Sequence, residues 1–127
     1  MNQPQLFESR IKEDVVFGEG VKVVTPVNLY GCTIGNNCFI GPFTEIQKDV
    51  VIGDHTKVQS HAFLCELVSI GHDCFIGHGV MFINDVFSSG GPARGDKSKW
   101  KNTFIGNYVS LGSNATILPV SICDHVV

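Results

Sequence analysis

The stretch Ile34 to Phe87 reads, in blocks of six, IGNNCF, IGPFTE, IQKDVV, IGDHTK, VQSHAF, LCELVS, IGHDCF, IGHGVM, FINDVF. The first place is always large and apolar: Ile34, Ile40, Ile46, Ile52, Val58, Leu64, Ile70, Ile76, Phe82. The second is glycine after Ile34, Ile40, Ile52, Ile70 and Ile76. The fifth is small or β-branched: Cys38, Thr44, Val50, Thr56, Ala62, Val68, Cys74, Val80, Val86. A period of six is neither the helical 3.6 nor the strand's 2, so the repeating unit is larger than one turn or one pleat.

Such a unit is a short strand and a corner. The first-place side chain points into a narrow core, and the fifth-place residue faces the same core, which is why it stays small. Glycine after the anchor is expected to allow corner dihedrals and close packing that a Cβ would obstruct. One block cannot bury its anchor alone, so coils must stack. The expected fold is all-β, a single domain over residues 1–127.

Working outward, residues 1–16 form a poorly patterned lead-in, and the repeat starts weakly at Phe17 with FGEGVK and VVTPVN. LYGCT is one residue short, which a turn absorbs. After Phe87 the pattern stops. Residues 88–102, SSGGPARGDKSKWKN, combine glycines, a proline and Arg94, Lys97, Lys99 and Lys101. This composition marks a protruding loop, long enough to suggest function. Repeats resume as IGNYVS, LGSNAT, ILPVSI and CDHVV. The chain stops in mid-block at Val127, so further coils and a cap are expected to be missing or supplied by another chain.

Composition narrows the class. At 127 residues, 43% hydrophobic, 17% charged and net charge −3, the chain suits one soluble domain and offers no electrostatic case for nucleic acid. No stretch approaches membrane-spanning length, and the N-terminus has no apolar signal core. The five cysteines include no CxxC pair. Cys38 and Cys74 fall in the inward fifth place, as buried thiols of a reducing cytoplasm would.

With three blocks per coil, residues eighteen apart share an edge. Glu66 and Asn84 then lie directly above one another, Asp85 follows at the mouth of the loop, and His61 and His78 occupy neighbouring corners. Asn84 either meets a polar substrate or caps a turn. Glu66 accepts a hydrogen bond or is simply solvated, and Asp85 either anchors the loop or meets substrate. His61 and His78 are the possible bases, against the plainer role of bonding a neighbouring coil. His55, His72 and His125 read as surface. If KWKNTF closes the coil after the loop, Ser113 stacks on Asn84. Trp100 either stacks on a base or packs against the wall of the helix.

The blocks resemble those of the hexapeptide-repeat acyltransferases, whose fold is a left-handed parallel β-helix with three blocks per triangular coil. The hand comes from the resemblance, since parallel crossovers in general run the other way. QSHAFLCE (residues 59–66) and GHGVMFIND (residues 77–85) are similar to the subgroup that acetylates the 3-amino group of UDP- or dTDP-linked amino sugars with acetyl-CoA. The likeness covers residues 17–127. It implies that Asn84 contacts the sugar amine and that the site lies between subunits of a homotrimer. The donor would be acetyl-CoA, with Gly112 N–H at the thioester carbonyl and Ser110, Ser113 and Ala115 along the pantetheine arm. The loop cations would meet the phosphates of CoA or of the nucleotide. Relatives often place a basic residue near the CoA phosphates in late coils that this chain lacks. No metal is implied: zinc carbonic anhydrases share the coil but draw two histidines from one late stretch, and none follows His78 in that way. A non-catalytic assembly module and an O-acetyltransferase are the alternatives.

Overall fold

In the computed structural model, which describes residues 2–127, the chain forms three parallel sheets, one six-stranded and two five-stranded. Consecutive strands go to different sheets, and each sheet collects every third strand. The first sheet stacks Phe17, Ile34, Ile52, Ile70, Ile105 and Ile122. In the second, Val23, Ile40, Val58, Ile76 and Leu111 are stacked. The third contains Leu29, Ile46, Leu64, Phe82 and Ile117. Thr33 pairs with Val51, eighteen positions on, so one coil is three blocks. The fold is therefore the parallel β-helix that the repeat predicts, the architecture of the left-handed β-helices, with one loop protruding from it.

The anchors Ile40, Ile46, Val58, Leu64, Ile76 and Phe82 are wholly buried, and the fifth-place Cys38, Thr44, Val50, Thr56, Ala62, Val68, Cys74 and Val80 line the same core. Each large anchor contributes about 1.5–3 kcal/mol by leaving water. Inward threonines repeat one device: Thr44 Oγ1 donates to Gln59 O (3.3 Å) and Thr56 Oγ1 to Gly71 O (2.9 Å), both in the next coil. Cys38 and Cys74 imitate it through Sγ toward Gly53 O and Gly106 O.

Glycine in the second place does only half of what the sequence suggests. A Cβ on Gly53 would stand 2.6 Å from Gly71 C, so close stacking does demand glycine there. The corner dihedral belongs instead to the fourth place. Asn37, Phe43, Asp49, His55, His61, Leu67, Asp73, Tyr108, Asn114 and His125 all have φ between 56° and 74°. Asn and Asp bear this conformation with little strain, whereas Phe43, Leu67 and Tyr108 hold it at a cost of about 1–2 kcal/mol each.

The helix also starts earlier than Phe17. Ile11 bridges to Leu29, and Lys12 N donates to Leu29 O at 3.0 Å, so IKEDVV is a further block hidden by its charges. At the other end Ile105 pairs with Ile122, seventeen positions on, so the last third-sheet block is five residues long, like LYGCT. No described helix is long and apolar enough to cross a membrane.

Candidate functional site

Three corners run up the helix, one after each sheet, and the candidate residues fall on two of them. The corner after the third sheet carries Glu66 and Asn84. They stack as expected: Asn84 Nδ2 donates to Glu66 O at 3.0 Å, and Asn84 is 9% exposed. That bond fixes which way the amide faces. Glu66 N donates in turn to Gln47 Oε1 at 3.3 Å, one coil below.

The loop leaves from this corner and returns to it. Val68 pairs with Thr103, thirty-five positions on, so the loop adds seventeen residues inside one block and replaces no face of the coil. The break comes at Asp85, earlier than residue 88. Val86 and Phe87 are 42% and 60% exposed, and Thr103 takes the inward place instead, 1% exposed. Its hydroxyl is the one buried side-chain polar atom without a partner among the described residues.

The loop is tied down along its length. Asp85 accepts from Phe87 N (3.0 Å) and Ala93 N (2.7 Å). Lys97 Nζ donates to both Glu66 oxygens at 3.0 and 3.2 Å and sits 5.5 Å from the Trp100 ring centroid. Asp96 caps the single turn Lys97–Lys99 through Ser98 N, and its bonds to Ser98 hold its carboxyl below the usual range. Lys101 N closes the loop on Asn84 O at 2.9 Å. Asp85 is thus the loop's anchor, and Glu66 is its counter-ion. Half-buried Trp100 packs toward the wall, lining a cavity of about 350 Å³ with Phe63, Phe82, Asn84, Asp85 and Phe87. Cys65 also borders it, a buried thiol whose pKa burial pushes up to about 11.

The corner before the third sheet carries both candidate histidines. His78 stacks on Ser60 with Ser60 Oγ and His78 Nδ1 hydrogen-bonded at 3.0 Å, and both His61 and His78 are exposed. His61 lies against Phe43, ring centroids 5.0 Å apart. The two histidines therefore share one corner rather than occupying two.

The donor residues move here as well. Phe75 pairs with Ser110, and Asn114 N donates to His78 O at 2.8 Å, so Ser113 stacks on His78, not on Asn84. Phe82 pairs with Ile117, which brings Pro119 to the height of Asn84. The expectation failed by one face because KWKNTF was counted as a full block, whereas it completes FINDVF. Gly112 and Ala115 flank the same corner. Second-place glycine N–H groups are ladder donors elsewhere, as in Gly77 N to Leu111 O at 2.9 Å, so this role is scaffold before it is chemistry.

The third corner, after the first sheet, holds a column that the sequence did not single out. Asn36, Asp54, Asn107 and Asp124 each accept, through Oδ1, from the third-place N–H of the coil below, at 2.8–3.0 Å. Tyr108 stacks on His125 at 4.9 Å and meets His72 edge-on. Their signal was visible as Asn or Asp two places after the anchor in four of the six first-sheet coils, Glu19 and His72 being the exceptions.

Comparison with known proteins agrees with the coil. Residues 31–65 match the model "bacterial transferase hexapeptide (six repeats)", and residues 102–127 match "hexapeptide repeat of succinyl-transferase". The bifunctional protein GlmU of Acetivibrio thermocellus is 31% identical over 121 residues, 91% of this chain and 24% of its own. GlmU of Clostridium acetobutylicum is 32% identical over 121 residues, covering 94% and 23%. The chain thus spans about a quarter of the length of these curated relatives. Among solved structures, the acetyltransferase domain of PglB from Neisseria gonorrhoeae, in complex with acetyl coenzyme A, superposes with a TM-score of 0.70 at 16% identity, over 91% of this chain and 48% of that one. That superposition speaks for the fold. The two matched segments and the stacked coils agree with one another: the chain is similar to the hexapeptide-repeat transferases.

Proposed function

We propose that this chain supplies the coils of an acetyl-CoA-dependent N-acetyltransferase whose acceptor is the 3-amino group of a nucleotide-linked (UDP or dTDP) sugar. The observation that carries this reading is Asn84: almost buried, pinned through Nδ2 to Glu66 O, and lining the cavity beside the loop. With Nδ2 committed, Oδ1 is left as the acceptor for an amine N–H. An amide cannot take the proton itself, so Asn84 positions the nitrogen lone pair toward the thioester.

In the reaction the amine nitrogen bonds to the acetyl carbonyl carbon, the C–S bond breaks, and the thiolate leaves with a proton from the amine. The base that fits is His78, whose Nε2 carries the lone pair when Nδ1–H donates to Ser60. Six positions, the width of one face, separate His78 from Asn84, about 20 Å along the chain at strand rise. A single copy therefore does not bring base and amine together. A neighbouring copy presenting its His78–Ser113 corner to the Asn84 corner does, which is the reason to place the site between subunits of a homotrimer. Acetyl-CoA as the donor is supported by one structural neighbour, an acetyltransferase domain in complex with acetyl coenzyme A.

The test is thiol release from acetyl-CoA in the presence of UDP- and dTDP-3-amino sugars. Asn84→Ala is expected to lower turnover at least tenfold, and an unchanged rate would remove the amine from this corner. Absence of release with every acceptor favours the assembly module. Light scattering is expected to return three copies, and a monomer would leave the two half-sites apart.

A further inference from the structure

A cavity of about 500 Å³ has no part in the site above; it lies on the second sheet and is lined by Gly20, Lys22, Asn37, Cys38, Phe39, Lys57 and Gln59. The outward column here is Lys22, Phe39, Lys57, Phe75, Ser110, each paired with the next. Strands in a sheet lie about 4.8 Å apart, so the two lysine stems leave the wall about 10 Å from each other with the Phe39 ring between them.

Neither ammonium belongs to an ion pair among the described residues, and no carboxylate lines the groove. Asp54, at the corner nearby, spends Oδ1 on Asn36 N. On a chain of net charge −3 this is a local excess of positive charge that nothing in the fold uses. The other two outward columns lack it: the first is Val16, Thr33, Val51, Ser69, Phe104, Ser121, and the third is Asn28, Glu45, Phe63, Met81, Thr116.

We infer that this groove binds the nucleoside diphosphate part of a substrate, with phosphates between Lys22 and Lys57 and the base against Phe39 and Phe75. Two cations at this separation span a diphosphate, the Asn37 and Gln59 side-chain amides offer N–H donors to its oxygens, and Phe75, 42% exposed, continues the aromatic wall. The groove leads toward chemistry: Gln59 adjoins Ser60, which holds His78. The inference deepens the reading above, because both substrates proposed there carry such a group, the sugar in its nucleotide and the acyl donor in its phosphorylated adenosine diphosphate.

Binding is measured without any acyl donor, by calorimetry on the full chain, with UDP, ADP, inorganic pyrophosphate and adenosine as probes. UDP or ADP is expected to bind, more tightly than pyrophosphate or adenosine alone. Lys22→Ala/Lys57→Ala is expected to weaken that binding at least tenfold while the melting temperature stays put, and Lys57→Arg to retain it. Affinity unchanged in the double variant, or no binding of either nucleotide at millimolar concentration, overturns the inference. Coenzyme A and UDP are then titrated in turn, and the one whose affinity falls in the double variant names the source of the diphosphate. Lysine-dependent binding with no thiol release would sink the reaction and spare the groove, and the reverse would do the opposite.

Discussion

The corner after the first sheet and the corner after the third are built from the same hexapeptide and behave as opposites. At the first, glycines precede the turn in coil after coil (Gly18, Gly35, Gly53, Gly71, Gly106), and Asn or Asp side chains clip four of the coils to the one below. At the second, the corresponding places hold Tyr30, Gln47, Cys65, Ile83 and Leu118, two blocks are a residue short, and a seventeen-residue excursion enters. Regular stacking at one edge lets the other edge depart from the repeat. The corner that breaks its own rule is the one that gathers Glu66, Asn84, Asp85 and Trp100.

The contrast can be broken most forcefully at Gly53. Its φ is ordinary, so alanine brings no backbone strain, but the new Cβ would stand 2.6–2.8 Å from Gly71 C, Gly71 O and His72 N. These are backbone atoms that cannot swing aside, so the coils must separate. Gly53→Ala is expected to cost about 3 kcal/mol in denaturant unfolding. Gly91→Ala, in the loop with nothing within 4 Å, is expected to change stability by less than about 0.5 kcal/mol. Similar losses for the two would mean that the edges are not mechanically distinct.

A smaller effect is expected at Asp54. Removing its carboxylate leaves Asn36 N, bonded at 2.8 Å, to find water on an exposed corner. Asp54→Ala is expected to cost about 1 kcal/mol, and Asp54→Asn to recover most of it, since only an Oδ1 acceptor is needed. Failure of the asparagine to recover stability would make the column electrostatic rather than a matter of hydrogen-bond geometry.

How much of this was readable beforehand follows from which forces are local. The anchors and the small fifth-place residues are spelled out one by one, so the core, the three-sided coil and the Glu66–Asn84 stack were legible. Ile11 escaped because IKEDVV has the right anchor and the right Val15 but surrounds them with charges that face solvent. The fourth-place positive φ escaped because Phe43, Leu67 and Tyr108 are poor hosts for it, and tertiary stacking overrides their preference. The donor residues were misplaced because a loop's point of return is not written in its composition. The register after residue 102 depends on Val68 meeting Thr103, a contact thirty-five positions apart. What each site residue is bonded to was equally out of reach: Lys97 finds Glu66 across thirty-one positions, and no spacing rule connects them.

That last pair offers the gentlest way to sharpen the comparison. Glu66 is largely covered (15% side-chain exposure) but Lys97 is 59% exposed, so water screens the pair and its net worth is below about 1 kcal/mol. Lys97→Ala should therefore leave the melting temperature nearly unchanged, because the coils do not depend on the loop. Its effect should appear locally, as faster amide exchange at Trp100 and Lys101, whose N–H groups close the loop on Lys97 O and Asn84 O at 3.1 and 2.9 Å. Exchange at Gly53 and Gly71, donors to Ile70 O and Ile105 O at 2.9 Å, should not respond. If those ladder amides quicken together with the loop, the two edges melt as one unit, and the departure from the repeat is part of what holds the helix rather than something the helix tolerates.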